Sequence, residues 1–143
     1  IIEPVREGLC DCAIGSRFLL KEGFQSFFFR RIGIRLFSVI DSYILGKRIT
    51  DCTSGFRAYN RRIIEFYGRE FKKELHDNIN QFLILTHYIG ARIVEVPVVM
   101  QTRKFGKSSA FNIWNSLFFP LKGLAVILAC LLQKEQFTHF RDK

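Results

Sequence analysis

Two short apolar runs, residues 9–14 and 91–100, each lead into a loop rich in Gly, Ser, Arg or Lys, and helical patterning fills the chain between them. The first has the small apolar character of a buried strand and ends at Gly15, Ser16 and Arg17. The second alternates as a strand does and is interrupted at Pro97. A strand tip that carries Gly, Ser and Arg is a common place for a ligand. The expected order is strand, helix, helix, strand.

Residues 1–8 read as the tail of a helix stopped by Gly8, and residues 18–26 as a loop. Residues 27–45 form a helix that is apolar on most sides but carries Arg31 and Arg35 four apart on one face, and Gly46 closes it. Residues 47–60 are rich in turn formers, with Asp51, Thr53 and Ser54 able to bond the local backbone. Short helices are expected over 61–67 and over 81–89, the latter stopped by Gly90. Residues 103–109 make a basic loop around Gly106, and residues 113–132 a long apolar helix broken in character by Pro120, Lys122 and Gly123.

The 143 residues suffice for one domain or part of one. With 48% hydrophobic residues and sixteen Phe the chain is not of the disordered class. Lys and Arg outnumber Asp and Glu by 22 to 13, which favours anionic partners. Cys10, Cys12, Cys52 and Cys130 show no zinc spacing and are expected as reduced thiols. Nucleic acid is disfavoured as a partner, because the aromatics fall within apolar helices and no recognised RNA-binding pattern occurs.

Three loop clusters stand out: residues 15–17, 51–57 and 103–109. Phosphate oxygens seek guanidinium forks, hydroxyls and exposed amides, and glycine lets the backbone come close, so the three together suit one anion site. Taken in order, IGSRF, RRIGIRLFSVI, ITDCTSGFRAYNRR and GARIVEVPVVMQTRKFGKSS resemble the second half of family 2 glycosyltransferases that load sugars onto polyprenyl phosphates, of the dolichol-phosphate mannosyltransferase-like type. The likeness runs from about residue 2 to residue 132.

That resemblance implies an α/β fold, the C-terminal portion of a GT-A fold, with a C-terminal apolar or amphipathic helix. Residues 1–110 would form the acceptor-side part of the transferase domain, 111–134 a membrane-interface helix and 135–143 a polar tail. It implies inverting transfer of a sugar from a nucleotide sugar to a polyprenyl phosphate. Asp51 matches the acid that serves as base or orienting group, orientation being the safer role toward an already anionic acceptor. Ser16, Arg17 and Arg31 match the acceptor-phosphate side, and Arg57, Arg103, Lys107 and Ser108 the part that closes over the donor diphosphate. A divalent metal, Mg²⁺ or Mn²⁺, is expected, with its DxD ligands upstream of Ile1, so that this chain alone would be inactive and supplies no metal ligand. Gln81 departs from the family pattern, standing where a Glu is expected. Glu95 reads as structural, bonding a neighbouring backbone or an Arg.

A polyprenyl acceptor implies a membrane surface, and the resemblance places the chain at the cytosolic face, peripheral or C-terminally anchored. Phe27 to Phe29 beside Arg30 and Arg31 suit a headgroup boundary. The segment 113–132 has the roughly 20 residues that a span requires, but Lys122 near its centre argues for a helix lying in the interface. Self-association stays open. Two other readings stand beside this one: a family 2 transferase acting on a polysaccharide or other acceptor, and a non-enzymatic basic module for membranes or nucleic acid.

Overall fold

A computed structural model describes residues 1–20, 28–70, 79–101, 113–132 and 135. Within it, helix α1 (Glu3–Arg6) is followed by strand β1 (Cys12–Ser16), helix α2 (Phe28–Leu45), strand β2 (Arg57–Tyr59), helix α3 (Arg61–Glu70), helix α4 (Ile79–Tyr88), strand β3 (Ile93–Pro97) and helix α5 (Ile113–Leu132). The class is α/β, as expected. The sheet has three strands in the order β2-β1-β3, with β2 antiparallel and β3 parallel to β1.

β1 is buried along its whole length, which a central strand covered on both faces requires. It begins three residues later than the apolar run suggested, because Leu9 stays exposed and the chain enters the sheet only after Asp11. Asp11 fixes that entry: its carboxylate accepts from Asn60 Nδ2 at 2.7 Å and from the Arg92 amide at 2.7 Å. Burial raises the pKa of Asp11, but the bonds from the Arg92 amide and side chain and the Arg92 and Arg62 charges outweigh it and leave the group below its ordinary value. Asn60 also caps α3, its Oδ1 accepting from Ile63 N at 3.0 Å.

Strand β2 lies inside the stretch read as turn. Its three residues are too few to show an alternating pattern, and it exists because Gly15 N donates to Phe56 O at 2.8 Å and draws the chain alongside β1. A Cβ on Gly15 would stand 2.8 Å from the Phe56 ring, so only glycine admits that approach. Gly46 and Gly90, expected to end helices, have φ of 63° and 73°.

One stripe of α2 faces the core: Ile34, Phe37, Ser38, Asp41 and Leu45 are buried, whereas Ile32, Leu36, Val39 and Tyr43 are exposed. α5 packs against α4 and α2 and contributes Ile127 and Cys130 to the core. Its Gly123 lies under the fully buried ring of Phe37, where any Cβ would collide with the ring. The other side of α5, with Leu121, Leu124, Leu128 and Leu131, is exposed. No helix among the described residues is long and apolar enough to cross a membrane. All four cysteines are unbridged and buried, and burial pushes Cys12 up to about 12 and Cys130 up to about 11. Such thiols stay protonated and unreactive near neutral pH.

Asp41 has no exposed surface, and neither carboxyl oxygen has a hydrogen-bond partner among the described residues. Burial pushes its pKa up to about 6, held back by the neighbouring Cys52 thiol and the Arg57 charge. A folded-state value above the unfolded one near 3.9 makes a contribution that is complete at low pH and lost as pH rises through about 6.

Two stability measurements follow from this core. Gly123→Ala should destabilise by about 1–3 kcal/mol in urea unfolding, and by clearly less in a Phe37→Leu background that removes the ring. Equal penalties in both backgrounds would mean that α5 does not dock on Phe37. Asp41→Asn should gain stability relative to wild type by about 2–3 kcal/mol between pH 4 and pH 7.5, the size of a two-unit shift. A difference independent of pH would show that Asp41 does not titrate with a raised value.

Candidate functional site

The C-terminal end of β1 carries Ser16 and Arg17 against the loop that holds Thr50, Asp51 and Thr53. Arg17 grips Asp51 with a fork: Nε donates to Oδ2 at 2.7 Å and Nη2 to Oδ1 at 2.8 Å. The Arg17 amide adds a bond to Oδ2 at 3.2 Å, and Nη2 also reaches Thr53 Oγ1 at 3.2 Å. Asp51 is fully buried, while the Arg17 side chain keeps 14% of its surface exposed. The carboxylate raises the Arg17 pKa further, against a smaller opposing effect of burial. Nε and Nη2 are thereby engaged, and Nη1 makes no hydrogen bond among the described residues.

Glu95 on β3 holds this loop from the other side. Its carboxylate accepts from Thr50 N at 2.9 Å, Asp51 N at 2.8 Å and Thr50 Oγ1 at 2.9 Å. The structural reading of Glu95 is correct. Because Thr50 gives its hydroxyl proton to Glu95, the 2.6 Å contact between Ser16 and Thr50 is a bond donated by Ser16. Ser16 Oγ in turn accepts from Phe18 N at 3.3 Å, turning the chain just past Arg17. Ser16 therefore lies within the support of the loop, fully buried, and not on an open wall.

A cavity of about 520 Å³ opens beside this network. Arg31, Arg35, Ser38, Val39 and Ser42 of α2 form one wall, Arg48, Ile49 and Thr50 the other, and Phe18 lines it next to Arg17. Residues 31, 35, 38 and 42 fall on one stripe of the helix. The hydroxyls are engaged: Ser38 donates to Thr50 O at 3.1 Å, and Ser42 Oγ accepts from Ile49 N at 2.8 Å while donating to Ser38 O. The three arginines have no ion-pair partner among the described residues and are the free donors of the cavity.

Asp51, Arg17 and Ser16 thus come together around one loop, whereas Arg31 lines the neighbouring cavity, which those three do not line. Arg57 is placed differently. Its Nε donates to Ser54 O at 2.8 Å, Nη1 to Ile79 O at 3.0 Å and Nη2 to Cys52 O at 2.7 Å, pinning the turn to the start of α4. Arg103, Lys107 and Ser108 lie outside the described residues. Gln81 is partly buried on α4. Sequence reasoning read Arg35 as sharing a face with Arg31 but did not assign it to the site, and it missed Arg48. The (i, i+4) spacing was the available signal for Arg35; Arg48 lies between residues 47 and 49, whose amides both bond back to Ser42 of α2, and no local pattern reveals that return.

The fork should be measurable as a coupling. Arg17→Met and Asp51→Leu should each cost about 2–4 kcal/mol in urea unfolding, since each strands a buried partner. The double variant should cost much less than their sum. Additive losses would show that the two side chains do not interact.

No family model matches the chain, and no solved structure matches it. Among known proteins it is similar to an uncharacterized protein of Methanocaldococcus jannaschii, MJ1222, with 24% identity over 135 residues. That alignment covers 94% of this chain and 53% of the relative, so the chain spans about half the relative's length.

Proposed function

We propose that the chain forms the acceptor-side half of a GT-A glycosyltransferase that moves a sugar from a nucleotide sugar to a polyprenyl phosphate at the cytosolic face of a membrane. The observation that carries this reading is the Arg17–Asp51 fork at the tip of the central strand, set beside a cavity whose free donors are arginines. The motifs GSR, TSGFR and EVPV support it by resemblance. In this reading the acceptor phosphate is held by Arg17 Nη1 and Arg31. A phosphate oxygen attacks the anomeric carbon, a new C–O bond forms, the bond to the nucleoside diphosphate breaks, and the configuration inverts.

Asp51 is a positioning residue here. Both its oxygens accept from Arg17, and an anionic phosphate needs no base to remove a proton. Holding the guanidinium in one orientation lowers the cost of placing the phosphate for attack. Apolar walls from Phe18, Val39 and Ile49 suit the first part of an isoprenoid tail, and the exposed apolar residues of α2 and α5 suit a membrane surface.

The expected Mg²⁺ or Mn²⁺ has no fitting ligand set among the described residues, where no group of three or more His, Cys, Asp or Glu converges. Asp51 and Glu95 are engaged by this chain's own donors. By the resemblance, the metal and the nucleotide belong to a DxD-bearing half upstream of Ile1.

The test is transfer of labelled sugar from a panel of nucleotide sugars to a polyprenyl phosphate, using the full protein that contains this chain. Arg17→Ala and Arg31→Ala should each lower kcat/KM more than about tenfold, as loss of a charged phosphate contact does. Asp51→Asn should lower it through the same contact. Undiminished transfer in all three, or transfer indifferent to the lipid phosphate, would overturn the assignment.

A further inference from the structure

We propose that Arg35 and Arg48 complete, with Arg31, a headgroup site selective for a dianionic terminal monophosphate over a monoanionic phosphodiester. The inference rests on the acceptor reading above and names two specificity-determining residues that the resemblance does not supply.

Arg31, Arg35 and Arg48 approach one cavity from two elements, and no acidic side chain is among the described residues that line it. None of the three has an ion-pair or hydrogen-bond partner among the described residues. Three like charges around one space repel one another, and a bound anion relieves that repulsion. The cavity's hydroxyls face inward to protein acceptors, so charge rather than neutral hydrogen bonding governs what it attracts. Its volume of about 520 Å³ lies in the range of organic-ligand sites, which run from about 300 to 1,000 Å³. Phe18 and Val39 offer apolar surface beside the cations.

A terminal monophosphate carries close to two negative charges at neutral pH, with its second pKa near 6, whereas a phosphodiester carries one. An added unit of charge close to three partly solvated guanidiniums favours the dianion by about tenfold. Sugar transfer turns the acceptor from monophosphate to phosphodiester, so the same arginines hold the acceptor more tightly than the product and favour product release.

Nearby ionisable groups do not explain such selectivity. Arg17, which the acceptor reading sets on either phosphate alike, has its charge offset by Asp51, and Glu95 behind Thr50 is bound to backbone amides. Asp41 titrates near 6 but lies on the buried side of α2 with Cys52 and Cys130. A phosphodiester control separates its effect from that of the ligand.

The experiment measures binding of geranyl phosphate, geranyl methyl phosphate and geraniol to the 143-residue chain by calorimetry at pH 7.5 and pH 5. The monophosphate should bind about tenfold tighter than the diester at pH 7.5, and nearly equally at pH 5, where it is largely monoanionic. Arg35→Gln and Arg48→Gln, at exposed positions, should each shrink the preference about threefold with unchanged thermal unfolding. Equal binding of the two phosphates at pH 7.5, both above geraniol, would overturn the dianion selectivity and leave the phosphate-site reading standing. A preference untouched by either substitution would remove Arg35 and Arg48 from the site. Binding of neither phosphate above geraniol would overturn both readings together.

Discussion

The carboxylate of Glu95 anchors the loop on which the site is built. It gathers two successive backbone amides and one hydroxyl, and so ties residues 50 and 51 to β3. The parallel pairing of β3 with β1 then brings Asp51 opposite Arg17, because Ile14 pairs with Glu95 and Ser16 with Pro97. Removing a carboxylate such as Asp51 from water costs several kcal/mol, and a forked guanidinium with a supporting hydroxyl is the kind of partner that offsets it. The fork is thus a consequence of strand register. Ser38 and Ser42 hold residues 49 and 50 against α2, and the Glu95 tether adds their attachment to β3, so the loop is fixed from both sides.

Much of this was legible in the sequence because it is local. The helices α2 and α5 were readable from apolar periodicity and from the glycine after α2, and α2 and α5 begin within one residue of their expected positions. The first strand was displaced because Leu9 is apolar yet exposed, and apolarity alone cannot tell an approach to a sheet from the sheet itself. β2 was missed because three residues carry no period; its pairing depends on the missing side chain of Gly15. Arg57 illustrates a different gap. Its residue type suits a phosphate, but its three carbonyl acceptors come from residues 52, 54 and 79, and such convergence has no signature along the chain.

α2 connects the core to the cavity, and its two faces make opposing demands. Arg31 and Arg35, four apart and alike in charge, weaken an isolated helix by a few tenths of a kcal/mol, and Gly33 between them weakens it further. Asp41 adds a buried carboxyl without a partner. What holds the helix is tertiary: Phe37 seated over Gly123, Leu45 in the same core, and Ser38 and Ser42 bonded across to the loop at 49 and 50. The side of α5 that meets Phe37 therefore supports the arginine wall from behind. However well its outer leucines suit a lipid surface, α5 contributes to the site through the residues it buries.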